Sequence, residues 1–289
     1  MKRYLLLTLA LHAASSHAYV RNYSASLDDS TWVISNKTPI ECRMDHFIPS
    51  FGVASFVSKA SKDVNLDFYL DMYKISAETH QVSLRSVPPL WKPGASSRQI
   101  SELSFYQQFD GYVAAQPAWQ MLSELEDGNV PTFYFDDWYA NNKTTAVGIS
   151  SINFKQQYND FLKCVGRLLP YSFDDIAFTV LTYKSNSDEL TPRSQKRLQL
   201  IGNYVKHDPE IDVVLVDAYT DSYGGKWLNQ ELSEKRANWV KSYFKSSGLD
   251  ESVIEVSAHG ERRHVATNSN IRGRDRNRRV VISLGKDLL

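Results

Sequence analysis

The order of strands and helices after Pro170 constrains the fold of this 289-residue chain more than any other feature. A near-continuous apolar run at 211–219 is typical of a buried strand. A helix is expected to begin at Thr191-Pro192, because threonine caps helix N-termini and proline fits the first helical position. Further strands are expected at 176–183, 253–258 and 279–284, and a second helix at 228–245. The order β-α-β-α-β-β predicts an α/β sandwich, with helices on one face of a mixed sheet.

The residues before this region follow a different pattern, of short strands with few helices. Apolar and polar residues alternate at 64–72, as in a half-buried strand, and an aromatic-rich strand is expected at 132–139. Helices are predicted at 118–125 and 153–168 from their apolar spacing. Since the length favours two domains, we expect an α+β protein with a β-rich N-terminal domain at 19–169 and the α/β sandwich at 170–289.

The first 18 residues have the pattern of a secretory signal peptide. Lys2 and Arg3 precede a short apolar run, and Ser16-His17-Ala18 supplies small residues before a break. An uncleaved anchor is the alternative, although the apolar run is well short of the ~20 residues of a transmembrane helix. The mature chain is therefore expected to be exported and not to span a membrane.

Export changes the interpretation of the two cysteines, Cys42 and Cys164. In an oxidising compartment two cysteines in one domain are most simply a disulfide, with two free buried thiols as the alternative. They lie 122 residues apart in sequence. Closing so long a loop stabilises the folded chain by ~5 kcal/mol in the chain-entropy model.

Charge and composition exclude several classes of function. The 33 basic and 33 acidic residues balance, which removes any whole-chain case for nucleic-acid binding. Two cysteines and scattered histidines cannot build a common metal site, and Gly224-Gly225 is not a phosphate-binding fingerprint. We expect no cofactor, no metal and no enzymatic activity. A solvated face is the prediction for a cluster of arginines, which consists of Arg262, Arg263, Arg272, Arg274, Arg276, Arg278 and Arg279.

The most informative segment runs from the strand at 211–219 into the second helix. Asp221 should project from a loop at the edge of the sheet, and Gly224-Gly225 allow a sharp turn. The helix then places on one face the residues Asn229, Leu232, Ser233 and Arg236. A carboxylate and a guanidinium facing one groove suit a zwitterionic ligand. The alternative is that Asp221 caps a turn and pairs with Arg236 across the surface.

A set of residues in this half resembles the signature of OmpA-like peptidoglycan-binding domains. The matching residues are Thr220-Asp221, Gly225, Asn229, Leu232-Ser233, Arg236-Ala237 and Asn277-Arg278-Arg279-Val280. The resemblance covers about residues 171–286 in the family's order and spacing. It implies that Asp221 and Arg236 hold diaminopimelate of the peptide stem. It also implies a groove lined by Thr220, Asn229, Leu232 and Arg278. The family usually has Gly-His where this chain has Ala218-Tyr219, which leaves open the ligand contacts from that turn.

The whole chain is also similar to a family of sodium-driven polar flagellar motor proteins. The shared architecture is a cleaved signal, a β-rich N-terminal domain with two cysteines, and an OmpA-like domain. This resemblance implies a periplasmic protein whose N-terminal domain attaches to the basal body and recruits a MotX-like partner. The resulting T ring would hold stator units while the C-terminal domain binds the cell wall. Two alternatives remain: a general envelope tether with an unrelated N-terminal module, and a wall hydrolase using Asp136-Asp137.

Overall fold

A computed structural model of the chain describes residues 20–89, 91–92, 94–138, 143–184 and 187–286. The predicted signal peptide, 1–18, lies outside the described residues. The strands of the N-terminal half are β1 (Val20–Tyr23), β2 (Trp32–Lys37), β3 (Glu41–Ile48), β4 (Gly52–Lys59), β5 (Asp67–Met72), β6 (His80–Val87), β7 (Arg98–Phe105), β8 (Gly111–Ala114), β9 (Val130–Asp136) and β10 (Thr144–Gly148). Its helices are α1 (Ala115–Glu126) and α2 (Phe154–Val165). The elements that follow are β11 (Phe178–Thr182), α3 (Pro192–Val205), β12 (Ile211–Tyr219), α4 (Lys226–Ser246), β13 (Ile254–Ala258), α5 (Ile271–Asn277) and β14 (Arg279–Lys286).

The N-terminal half is rich in β structure, as predicted. One five-stranded sheet has the order β1-β10-β9-β6-β7 and another the order β2-β3-β4-β5-β8. The strand expected at 64–72 begins only at Asp67. The reason is a turn, because the Asn65 side chain exchanges two hydrogen bonds of 2.8 Å with the backbone of Lys59. The strand expected at 132–139 is β9, and Tyr139 lies outside the described residues.

The sheet of the C-terminal half confirms the predicted α/β sandwich. Its order is β11-β14-β12-β13, with β12 parallel to β13 and β14 antiparallel to both of its neighbours. Helix α3 begins as expected, since the Thr191 side chain accepts a hydrogen bond of 3.3 Å from the Ser194 backbone. The short helix α5, between β13 and β14, was not predicted.

The described residues form two compact units. The first comprises residues up to Val33, Asp45–Ser55 and Asp67–Gln156, and the second comprises Ile34–Met44, Phe56–Leu66 and the chain from Gln157. In the first unit, Phe133 packs between Phe68 and Phe105, with ring centroids 5.6 and 5.7 Å away.

Two helices cover one face of the sheet in the second unit. Leu198 and Ile201 of α3, and Ala237, Val240 and Phe244 of α4, are buried with the apolar residues of β12 in one core. This is the face that the helical spacing of α4 predicted. The site residues of α4 therefore lie on a helix whose other buried face is packed in the core.

The same core includes residues from the N-terminal half of the sequence. Ala60 is a buried member of it, and Ile40 packs against it. Hydrogen bonds fix these segments, from Ala60 N to Ile40 O (2.8 Å) and from Leu169 N to Pro39 O (2.8 Å). The second unit is thus assembled from three separate stretches of chain.

Cys42 of β3 and Cys164 of α2 form a disulfide, which confirms the sequence prediction. Their Cα atoms lie 6.0 Å apart, and both residues belong to the second unit. Both are buried, with 0% and 3% exposure. The bond closes the long loop that the sequence indicated.

The prediction of a solvated arginine face is wrong for two of its seven members. Arg278 and Arg279 are buried, whereas Arg262, Arg263, Arg272 and Arg276 are exposed. The Arg279 guanidinium lies 3.9 Å from the centroid of the Tyr219 ring and donates a 3.0 Å hydrogen bond to the Arg263 carbonyl. The Arg279 guanidinium can be buried because the Tyr219 ring and backbone carbonyl oxygens take the place of water around its positive charge.

A buried histidine in the first unit makes stability depend on pH. His46 is fully buried, stacks on Trp32 with ring centroids 4.6 Å apart, and has Nδ1 2.8 Å from the Thr31 carbonyl oxygen. Burial lowers the pKa of His46 below its ordinary 6.5, although the Thr31 carbonyl opposes the shift. As pH falls, the unfolded chain therefore takes up the proton before the folded chain does. The contribution of neutral His46 to stability is complete above pH 6.5, the pKa in the unfolded chain, and is lost progressively below it.

We expect the free energy of unfolding to fall by at most ~1.4 kcal/mol per pH unit from this residue as pH is lowered from about 7 to 5. Urea unfolding at a series of pH values measures the slope. In His46→Gln, which cannot titrate, the slope in this window should become shallower. An unchanged slope in that variant would show that other groups control the dependence.

Candidate ligand-binding site

Asp221 lies in the loop between β12 and α4, as the sequence predicted. Thr220 and Asp221 are buried, with 1% and 7% exposure. The Tyr223 backbone N–H donates to one carboxylate oxygen of Asp221 over 3.0 Å. Gly224 has a φ of 102°, which glycine adopts without strain. The turn therefore holds the carboxylate in place just before the helix begins.

One face of α4 lies against this loop. Asn229, Ser233 and Arg236 are buried on it, and Leu232 is half-buried. The Ser233 hydroxyl accepts a 3.0 Å hydrogen bond from the Gly260 backbone, whose carbonyl accepts one of 2.8 Å from Thr220 N. The helix, the loop after β12 and the turn after β13 are thus tied together around the predicted site.

Arg278, at the end of α5, is the ion-pair partner of Asp221. Its Nη1 lies 2.5 Å from the Asp221 carboxylate, and its Nη2 contacts Asp275. The alternative from the sequence is therefore half right: Asp221 does cap a turn, but its ion-pair partner is Arg278 and not Arg236. The family resemblance placed Arg278 in the groove, but nothing in the sequence indicated that it would pair with Asp221.

Arg236 is held by groups that the sequence did not indicate. It is 1% exposed, its Nη2 donates a 2.7 Å hydrogen bond to the Ser187 carbonyl, and its guanidinium lies 4.2 Å from the centroid of the Tyr183 ring. Burial lowers the pKa of Arg236, partly offset by Tyr183 and Asp221, while Arg278 adds to the lowering. The buried cation is therefore incompletely compensated within the described chain.

Several polar atoms at this site are buried without a hydrogen-bond partner among the described residues. They are Nε and Nη1 of Arg236, Nε of Arg278, Oγ1 of Thr220 and the hydroxyl of Tyr183. These are five of the ten such side-chain atoms found in the described chain, so the unpaired groups concentrate here. Unpaired buried donors are costly. Three of the five are guanidinium nitrogens, which can only donate. The arrangement therefore favours a ligand with hydrogen-bond acceptors, such as a carboxylate.

This sheet, with its charged groups gathered at the start of α4, is the arrangement of an OmpA-family domain. The OmpA family model matches residues 182–278. The model described as the MotY N-terminal domain matches residues 23–170. Sodium-type flagellar protein MotY of Vibrio parahaemolyticus is 49% identical over 96% of this chain and 95% of its own length. The chain belongs to the MotY family.

Other relatives match a smaller share of the chain. Outer-membrane lipoprotein YfiB of Pseudomonas aeruginosa is 38% identical over 35% of this chain and 59% of its own length. Among solved structures, the peptidoglycan-associated lipoprotein from Burkholderia pseudomallei is 24% identical, with a TM-score of 0.34, over 37% of this chain and 89% of that chain.

None of the described helices is both long enough and apolar enough to cross a membrane.

Proposed function

We propose that this protein is a periplasmic component of the flagellar motor that anchors the basal body and its stator units to peptidoglycan. Membership of the MotY family supports the motor role. The observation that carries the anchoring role is the buried Arg236 guanidinium, which has two nitrogens without a hydrogen-bond partner among the described residues and whose pKa, lowered by burial, is raised in part by the charge of Asp221. In this role the protein binds peptidoglycan and the basal body, and it requires no catalytic activity.

The ligand of this site is the diaminopimelate of the peptide stem, whose free end carries an ammonium and a carboxylate. The ligand carboxylate bonds the unpartnered nitrogens of Arg236, and the ammonium bonds Asp221. Arg278 holds the Asp221 carboxylate in position. Charge-assisted hydrogen bonds of this type contribute about 1.5–3 kcal/mol each.

The remaining predicted residues shape the groove. Thr220 offers an unpartnered hydroxyl, and Asn229 donates a 3.0 Å hydrogen bond to Glu261 at its edge. The half-buried Leu232 supplies an apolar wall. A site of this size gives modest affinity for one stem. Many copies of this site on one ring would bind peptidoglycan firmly, because a polymer that is bound at several points dissociates slowly.

The N-terminal domain, residues 19–169, is proposed to attach to the basal body and to recruit a MotX-like partner into the T ring. The match to the MotY N-terminal domain over residues 23–170 supports this assignment. The OmpA-like domain, residues 170–289, then joins that ring to the wall. The two functions are assigned to different parts of the chain and can be tested separately.

Sedimentation with purified sacculi tests the anchoring half. We expect Asp221→Asn to leave most of the protein in the supernatant, because the variant loses the charge that pairs with the ligand ammonium. The loss in affinity should be about tenfold or more. Glu231→Gln, which removes a half-exposed carboxylate that pairs with Lys235 on the same helix, is the matched control and should pellet like the parent. Equal pelleting of both variants would place the site elsewhere.

Deletion of the gene tests the motor half. We expect non-motile cells that regain swimming when the parent chain is supplied and fail to regain it with the Asp221→Asn chain. The protein should also co-purify with hook–basal bodies. Normal swimming after deletion would instead support a general envelope tether.

A further inference from the structure

Two large aromatic side chains stand exposed at the start of α4. Tyr223 is 72% exposed and Trp227 is 73% exposed. Single exposed aromatics are ordinary, but these two lie within five residues of each other, where the loop that carries Asp221 leads into α4. The backbone N–H of Tyr223 donates a hydrogen bond to the Asp221 carboxylate, which fixes the position of the Tyr223 backbone relative to the site.

Trp227 forms one side of a groove of about 500 Å³. Lys226 beside it, Gln230 on the next turn of α4 and the segment from His259 to Arg262 form the rest of its wall. The His259 ring is positioned by Asp217, with Nε2 2.7 Å from the carboxylate, and by stacking on Tyr219. An indole surface thus faces amide, imidazole and carboxylate groups across an open groove.

The turn after β13 separates the groove from the proposed site and contacts both. On one side of this turn, Gly260 bonds Ser233 and Thr220. Glu261 lines the groove and also accepts the hydrogen bond from Asn229. A ligand that contacts both sides of this turn would therefore occupy the site and the groove beside Trp227 together.

We propose that this groove binds a sugar ring of the peptidoglycan glycan strand, with Trp227 as the stacking surface. The apolar C–H face of a sugar ring packs on an aromatic ring, and its hydroxyls match polar side chains around the edge, here Gln230, His259 and Glu261. Tyr223 contributes a second aromatic surface at the entrance. The inference rests on the proposed function, since the glycan is the strand to which the peptide stem is attached.

The test compares two probes on the full mature chain, a disaccharide–tetrapeptide and the same tetrapeptide without sugars. Isothermal titration should show that the parent binds the disaccharide–tetrapeptide about tenfold more tightly than the free peptide. Trp227→Ala should remove that difference while leaving the affinity for the free peptide unchanged. Trp227→Tyr, which keeps an aromatic ring, should retain most of it.

Trp239→Ala is the matched control, because Trp239 is an exposed tryptophan (52%) further along the same helix. It should keep the parent's preference for the disaccharide–tetrapeptide. An unchanged preference in Trp227→Ala, or an equal loss for both probes, overturns the proposal. If the parent binds the two probes equally, the glycan groove is wrong but the stem site stands. If the parent binds neither, both fail.

Discussion

Replacement of Arg236 by lysine is expected to abolish detectable binding of single peptide stems while leaving the protein folded. Lysine keeps the positive charge but cannot present two parallel N–H groups to a carboxylate. The nitrogens affected are Nε and Nη1, which have no partner among the described residues, whereas Nη2 serves the Ser187 carbonyl. Loss of one or two charge-assisted hydrogen bonds, at about 1.5–3 kcal/mol each, should lower affinity by about 10- to 10,000-fold.

The matched control for this substitution is Arg279→Lys. Arg279 is also buried and also lies over a tyrosine ring, but it donates to the backbone carbonyls of Arg263 and Asn277. Its replacement should lower thermal stability without changing the affinity for the stem peptide. Titration of both variants with a free tetrapeptide, beside thermal melts, separates the two effects. Equal affinity of Arg236→Lys and the parent would show that Arg236 has only a structural role.

Removal of the disulfide is expected to produce the largest loss of stability. The double variant Cys42→Ala/Cys164→Ala frees a loop with a sequence separation of 122 residues. The chain-entropy model gives a loss of about 4–5 kcal/mol. Since domains of this size are stable by roughly 5–15 kcal/mol, such a loss is a large fraction of the total. Alanine avoids placing unpaired hydroxyls at two buried positions.

Urea unfolding of the oxidised parent, the reduced parent and the double variant measures this loss. The reduced parent and the variant should unfold at the same, lower urea concentration. Accumulation in the cell should fall with stability, because a less stable chain spends more time open to proteases. A double variant that unfolds at the oxidised parent's midpoint would contradict the expectation.

The sequence predicted those parts of the fold that depend on local patterns. Strand β12 has the expected bounds, 211–219, because its apolar run is nearly continuous and is followed by a glycine turn. The placement of Asn229 and Arg236 on one face of α4 also followed from helical spacing, although their burial was not predicted. Local periodicity was sufficient in both cases.

The rest of the site depends on contacts between distant parts of the sequence. Tyr183 and Ser187 reach Arg236 from about 50 residues upstream, and Arg278 reaches Asp221 from 57 residues downstream. Helix α5 has seven residues, three of them arginines, and carries no apolar repeat to mark it. In the N-terminal half, β1 pairs with β10, more than 100 residues away, which no local pattern encodes.

The presence of Ala60 and Ile40 in the core of the second unit limits how freely these modules can be exchanged. A cut near residue 170 follows the boundary between the two family matches, but it removes both residues, and the Lys62–Asp175 ion pair of 2.5 Å, from the C-terminal piece. An OmpA-like domain transplanted from another envelope protein would meet segments 34–44 and 56–66 with an unmatched surface. Functional chimeras should therefore require those two segments to be carried over with the domain.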